Sequence, residues 1–217
     1  LQKISPKVFT SGDFFCLKER TIMSVQPVKD RNKLNQMINF LELKGNKRDV
    51  LLLKFGLNTG LRINDILRLK VTNLFDSSGN LKEYLDLFES KTIKRRNRKL
   101  KQIKLNSIIR PELISYVQYY ELESEDWIFF SLREPLNPLD RVRAWTILKE
   151  AATRAGVAKF GTHSMRKTLA YNVYSETKDL ALVMRLLNHN DPDHTLRYIG
   201  VVQHDLDTAY EQYGIGG

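Results

Sequence analysis

Six residues of chemically useful type stand in order along this chain: Arg62 in T-G-L-R, Lys91 in S-K-T, His163 and Arg166 in H-S-M-R, His189 in L-L-N-H, and Tyr198, nine residues after His189. Two guanidiniums, an ammonium, two imidazoles and a phenol are what is needed to attack a phosphodiester without a metal. Arg62 and Arg166 would neutralise the non-bridging oxygens, and charge growing there in a pentavalent transition state would strengthen both contacts. His189 would add a third donor. A free tyrosine has a pKa near 10, so only about one in a thousand is phenolate at pH 7, and the site must favour that form or remove the proton during attack. His163 either relays that proton or bonds the phosphate. The departing sugar oxygen needs a proton, and Lys91, with a reference pKa near 10.4, can give it. Each residue alone has an ordinary use, such as a surface ion pair for Arg62 or a buried ring with a bonded hydroxyl for Tyr198. Taken together in one order, the set argues for chemistry.

Local elements must bring these groups together. His163 and Arg166 are i and i+3, so on a helix both leave the same face. His189 and Tyr198 fall on opposite faces of one unbroken helix, so the chain must break between them. It can do so at N-D-P-D, where Asp191 suits an N-cap and Pro192 the first helical position. Val50–Leu57 reads as a buried helix stopping at Asn58, Thr59 and Gly60, with a restart at Leu61. Arg62 thus sits at a helix start, where backbone donors and the helix dipole would favour a phosphate. Asp65, one turn later, would orient Arg62. Lys91–Lys104 holds eight basic residues and no acid. The alternating stretches on either side, from Tyr84 and from Leu100 to Leu105, predict two antiparallel strands with the charges at their turn. Lys94, Arg95, Arg96, Arg98 and Lys99 at that tip are the candidate DNA contacts.

The six residues resemble those of the tyrosine recombinases, the phage and transposon integrase family. Position by position, Arg62 is similar to the first arginine, Lys91 to the hairpin lysine, His163 and Arg166 to the HxxR pair, and His189 and Tyr198 to the remaining two. Asn188 stands where the family usually has Gly, and Met165 and Lys167 flank Arg166 where it often reads L-R-H. Neither departure removes a functional group, since Asn also tolerates unusual backbone angles. The resemblance covers about residues 29–200. It implies a mainly helical α+β catalytic domain with a small antiparallel sheet. It further implies a 3′-phosphotyrosyl intermediate formed without metal or nucleotide cofactor, and strand exchange through a Holliday junction in a homo-tetramer on double-stranded DNA. An upstream core-binding domain normally completes the DNA clamp in this family. Type IB topoisomerases use nearly the same residues but act as monomers.

Composition agrees with a polyanionic partner: 35 Lys and Arg against 25 Asp and Glu give a net charge of +10 in 217 residues. A single Cys16 excludes an intrachain disulfide framework and suits a reducing compartment. No apolar run approaches a membrane span, and no signal peptide opens the chain, so a cytoplasmic location with no membrane partner is expected. Residues 1–28 lack helical period and read as a linker or the remnant of an upstream segment, with Met23 a minority choice of natural start. Residues 29–200 read as the catalytic domain and 201–217 as a tail helix that could dock on a neighbouring subunit. Further helices are expected from Asp30, over Ile108–Leu122 and over Leu139–Ala155, with a short buried strand at Trp127–Phe130. Two other readings compete. A metal-dependent nuclease would use His189, Asp191, Asp193 and His194, and a non-catalytic DNA-binding module would use the charge alone.

Overall fold

The computed structural model describes residues 25–88, 100–201, 207 and 210–212. Lys91, Lys94, Arg95, Arg96, Arg98 and Lys99, and most of the tail after Val201, lie outside them. Nine helices and one two-stranded sheet are found among the described residues. In order they are α1 (Arg31–Leu43), α2 (Lys47–Thr59), α3 (Ile63–Ile66), α4 (Val71–Leu74), β1 (Tyr84–Leu87), β2 (Lys101–Lys104), α5 (Ile109–Tyr119), α6 (Arg141–Arg154), α7 (Ser164–Thr177), α8 (Leu180–Leu187) and α9 (Pro192–Ile199). The fold is therefore mainly helical with a small antiparallel sheet, the architecture expected.

Helix boundaries follow local chemistry. Side chains of Asp30, Asn46, Asp140, Asp179 and Asp191 each accept a hydrogen bond from the first turn of the helix that follows, satisfying donors that have no intrahelical partner. At the other end, Gly60 closes α2 in the left-handed conformation, with φ 59°. The strands pair Tyr84 with Lys104 and Leu87 with Lys101. That register turns Leu85 and Ile103 inward and leaves Asp86, Gln102 and Lys104 exposed.

Helix α2 is the central element, packed against α1, α5 and α7. Its Leu52, Leu53 and Phe55 are fully buried, and Phe55 meets Phe129 edge-to-face with centroids 5.8 Å apart. The Trp127–Phe130 segment departs from expectation. Ile128, Phe129 and Phe130 are buried as the apolar run requires, but among the described residues the segment's strand pairing amounts to isolated bridges, Lys70 to Trp127 and Phe130 to Pro138, rather than a ladder. An apolar run reports burial, whereas a strand also needs a neighbour of matching length. A second, smaller cluster of Ala170, Val183, Leu187 and Ile199 joins α7, α8 and α9.

Val25–Val28 also departs from the linker reading. The Gln26 N–H donates to the Lys159 carbonyl at 3.0 Å, the Val28 N–H to Thr168 Oγ1 at 2.9 Å, and Ser164 Oγ to the Gln26 carbonyl at 2.7 Å. These residues are strapped to the start of α7 and belong to the folded domain. At the other end, Ile199 is a buried residue of α9, and Gly200 stops that helix at φ 80°. The helix carrying Tyr198 therefore ends before residue 201, where the tail begins.

Candidate active site

Arg166 organises the site. It projects from the first turn of α7, is 2% exposed, and donates from Nη1 to the Gly60 carbonyl and from Nη2 to the Leu187 carbonyl, both at 2.7 Å. One buried guanidinium thus ties the T-G-L-R turn to the L-L-N-H turn, across 106 and 21 residues of sequence. Five N–H groups in a fixed fork allow an arginine to brace backbone and to grip an oxyanion with the same side chain. Lys101, at the base of the hairpin, donates from Nζ to the Leu186 carbonyl at 2.9 Å. Two cations therefore cap the last carbonyls of α8, where the helix dipole favours positive charge.

The turn after Thr59 places Arg62. Gly60 needs its positive φ, and a Cβ there would come within 2.8 Å of Leu169 Cδ2. Gly60→Ala should cost about 1 kcal/mol or more of stability, from left-handed strain and from displacing Leu169, read as a lower urea midpoint at unchanged slope. Arg62 stands at the N-cap of α3, half-buried, with Asp65 buried one turn on. With only four residues, α3 supplies little dipole, so a phosphate here would depend on the guanidinium rather than the helix end.

His163 precedes α7 with helical backbone angles (φ −84°, ψ −13°), one turn from Arg166 as its spacing required. Its imidazole has an exposed edge, yet its pKa is held below the usual value. Protein crowding removes solvent from the ring, and Arg62, Arg166, Arg141 and Lys167 repel a further positive charge. His163 is accordingly neutral at physiological pH, with one nitrogen able to accept a proton.

Asn188 ends α8 in the left-handed conformation, with φ 54° and ψ 46°. The His189 N–H then reaches back to the Met184 carbonyl at 2.9 Å, a Schellman-type closure that fixes where the imidazole starts. Asparagine does here what glycine does elsewhere. Asp191 bonds the N–H groups of Asp193 and His194, and Pro192 occupies the first turn of α9, as the N-D-P-D reading anticipated. The chain folds back and brings Tyr198 to His189, with ring centroids 5.1 Å apart and planes at 89°. His194 lies 6.1 Å from the same ring.

Thr195 was not singled out by sequence, yet it orients His189. Its fully buried hydroxyl donates to the Asp191 carbonyl at 2.8 Å and lies 3.2 Å from His189 Nδ1. A hydroxyl has a single proton, so an oxygen that gives it to a carbonyl presents a lone pair to the imidazole, and Nδ1 carries the hydrogen. That leaves Nε2 as the nitrogen turned to chemistry. Thr195→Val keeps the shape and removes the acceptor. Cleavage should fall about tenfold while Thr195→Ser stays near the unaltered rate, as single-turnover kinetics would report.

Among the described residues, no three His, Cys, Asp or Glu side chains converge as metal ligands. Within the crowded His189–His194 stretch, the Asp191 carboxylate is committed to capping α9 and His189 Nδ1 to Thr195. The structure thus gathers Arg62, His163, Arg166, His189 and Tyr198 about the start of α7, while the position of Lys91 is not described.

Among the described residues, the Tyr198 phenol lies beside two imidazoles and an ammonium, and a buried guanidinium ties the neighbouring turn to the T-G-L-R loop, all on a mainly helical scaffold. The chain belongs to the phage integrase family, whose pattern matches residues 28–204. It is 37% identical over 190 residues to the probable integrase/recombinase YoeC of Bacillus subtilis (strain 168), covering 88% of this chain and 97% of that one. Other curated recombinases and transposases match over 44–47% of their own length, so the chain spans about half of them. Two solved structures show the same fold. One is XerH recombinase bound to difH in a pre-cleavage complex, with TM-score 0.64, 20% identity, and coverage of 89% of this chain and 55% of that one. The other is a lambda integrase tetramer bound to a Holliday junction, with TM-score 0.60, 16% identity, and coverage of 82% and 49%.

Proposed function

We propose that this domain cleaves and rejoins double-stranded DNA as a site-specific recombinase through a 3′-phosphotyrosyl intermediate at Tyr198. The observation that carries the reading is the seat of Tyr198, edge-on to His189, on a turn that Arg166 ties to the Arg62 loop. The phenol oxygen attacks phosphorus as the bond to the deoxyribose 5′ oxygen breaks. Neutral His163 takes the phenol proton, and Lys91 gives one to the leaving oxygen. Arg62 and Arg166 hold the charge that accumulates on the non-bridging oxygens, and His189, in its imidazolium form with Nδ1–H on Thr195, donates a third bond from Nε2. Because one phosphodiester replaces another, bond energy is conserved and no nucleotide is consumed. The 5′ hydroxyl reverses the step.

Lys94, Arg95, Arg96, Arg98 and Lys99 would contact phosphates. The full exchange takes four copies on two duplexes, in keeping with the lambda integrase neighbour. A metal-dependent nuclease has less support, since Asp191, one of the two carboxylates it would use, is spent on capping, and no three ligand side chains converge among the described residues. A nicked suicide duplex carrying the native recombination site tests the reading. Incubated with the chain and excess EDTA, it should accumulate a protein–DNA adduct that survives denaturation. Complete loss of cleavage on adding EDTA would favour metal-dependent hydrolysis.

A further inference from the structure

Lys167 is a buried charge that the proposed chemistry leaves unused. It follows Arg166 on α7, and the roughly 100° turn between successive helical residues sends the two cations different ways. Arg166 reaches the carbonyls of Gly60 and Leu187, whereas Lys167 Nζ lies 4.8 Å from the centroid of the Tyr198 ring. Lys167 is 8% exposed, and among the described residues no carboxylate pairs with it. Desolvation pushes its pKa below the usual lysine value. An ammonium kept out of water without a counter-ion is costly, and the negative face of an aromatic ring offsets only part of the cost.

We propose that Lys167 is a positioning residue for the nucleophile, its ammonium holding the Tyr198 ring in place and favouring the phenolate as the proton leaves. The inference rests on Tyr198 being the nucleophile. Among the described residues, Lys167 from α7, His189 from the turn after α8 and His194 from α9 itself face that ring. Of these, only Lys167 presents a cation to the face of the ring as its normal charge state. A phenolate ring is richer in electrons than a phenol ring, so attraction to the ammonium grows as the proton departs, which is the condition for assisting attack rather than merely binding.

The test needs no DNA. The full chain is labelled with 3-fluorotyrosine, whose phenol titrates in a range the protein tolerates, and followed by 19F NMR. The resonance of position 198 is assigned by its absence in Tyr198→Phe. Lys167→Met, which keeps the stem and removes the charge, should move the titration midpoint of that resonance upward by about one pH unit, while Lys167→Arg should leave it near the unaltered value. Should the Met variant not fold, Lys167→Gln gives the same comparison. An unchanged midpoint in the folded, uncharged variant would overturn the proposal and leave Lys167 a packing residue. Failure to form a DNA adduct would instead bear on the recombinase reading, since the titration is measured on the protein alone.

Discussion

Tyr198→Phe is expected to abolish the covalent protein–DNA adduct while DNA binding stays within about twofold of the unaltered chain, because it removes one oxygen and leaves every charged contact to phosphate in place. The ring would still meet His189 edge-on, lie under Lys167 and pack in the small cluster of α7, α8 and α9. Stability should change little, as the phenylalanine fills the same volume. Electrophoretic mobility shift and denaturing gels on one nicked substrate separate the two effects. A persistent adduct would point to a nucleophile elsewhere, with Tyr210, 79% exposed, and Tyr213 the next candidates along the chain.

Arg166→Ala should be damaging in two separable ways. Removing a guanidinium that stabilises the transition state should lower single-turnover cleavage by about 10² to 10³ fold. The same change strips the donors from the carbonyls of Gly60 and Leu187, both inside the site. A buried acceptor left without its bond costs about 1–3 kcal/mol, so a clear fall in melting temperature should accompany the loss of activity. Arg166→Lys should recover little of either, because a single ammonium cannot span two carbonyls on different turns and also grip a phosphate in a fork. Wild-type cleavage by Arg166→Lys would remove the guanidinium from the proposed chemistry.

How much of this was readable from sequence depends on the range of the interaction. Asp191 and Pro192 announced the start of α9 because capping is settled within a few residues, and the same locality made Gly60 recognisable as a helix end, whereas Asn188 was read only as a residue tolerant of unusual backbone angles. The β1–β2 pairing followed from alternation on both sides of a charged turn. Arg166 was identified by type and spacing, but its two carbonyl partners belong to turns that only the folded chain brings together. Thr195 and Lys101 escaped notice for the same reason: a threonine and a lysine carry no mark of what they will face. Lys167 was noticed only as a departure from the family's usual residue, and its place over Tyr198 needed the crossing of α7 and α9. The Trp127–Phe130 run showed the converse error, since burial was legible and pairing was not. Likewise Val25–Val28, without periodicity of its own, is held by hydrogen bonds to Lys159, Ser164 and Thr168.

The most direct test of Tyr198 as nucleophile is to map the adduct. The chain is trapped on a nicked duplex carrying the native site in the presence of EDTA, digested with protease and nuclease, and the modified peptide is sequenced by mass spectrometry. A nucleotide joined through its 3′ phosphate to Tyr198 is the expected result. Attachment to another residue, or nicked DNA with a free 3′ end and no adduct at any residue, would contradict it.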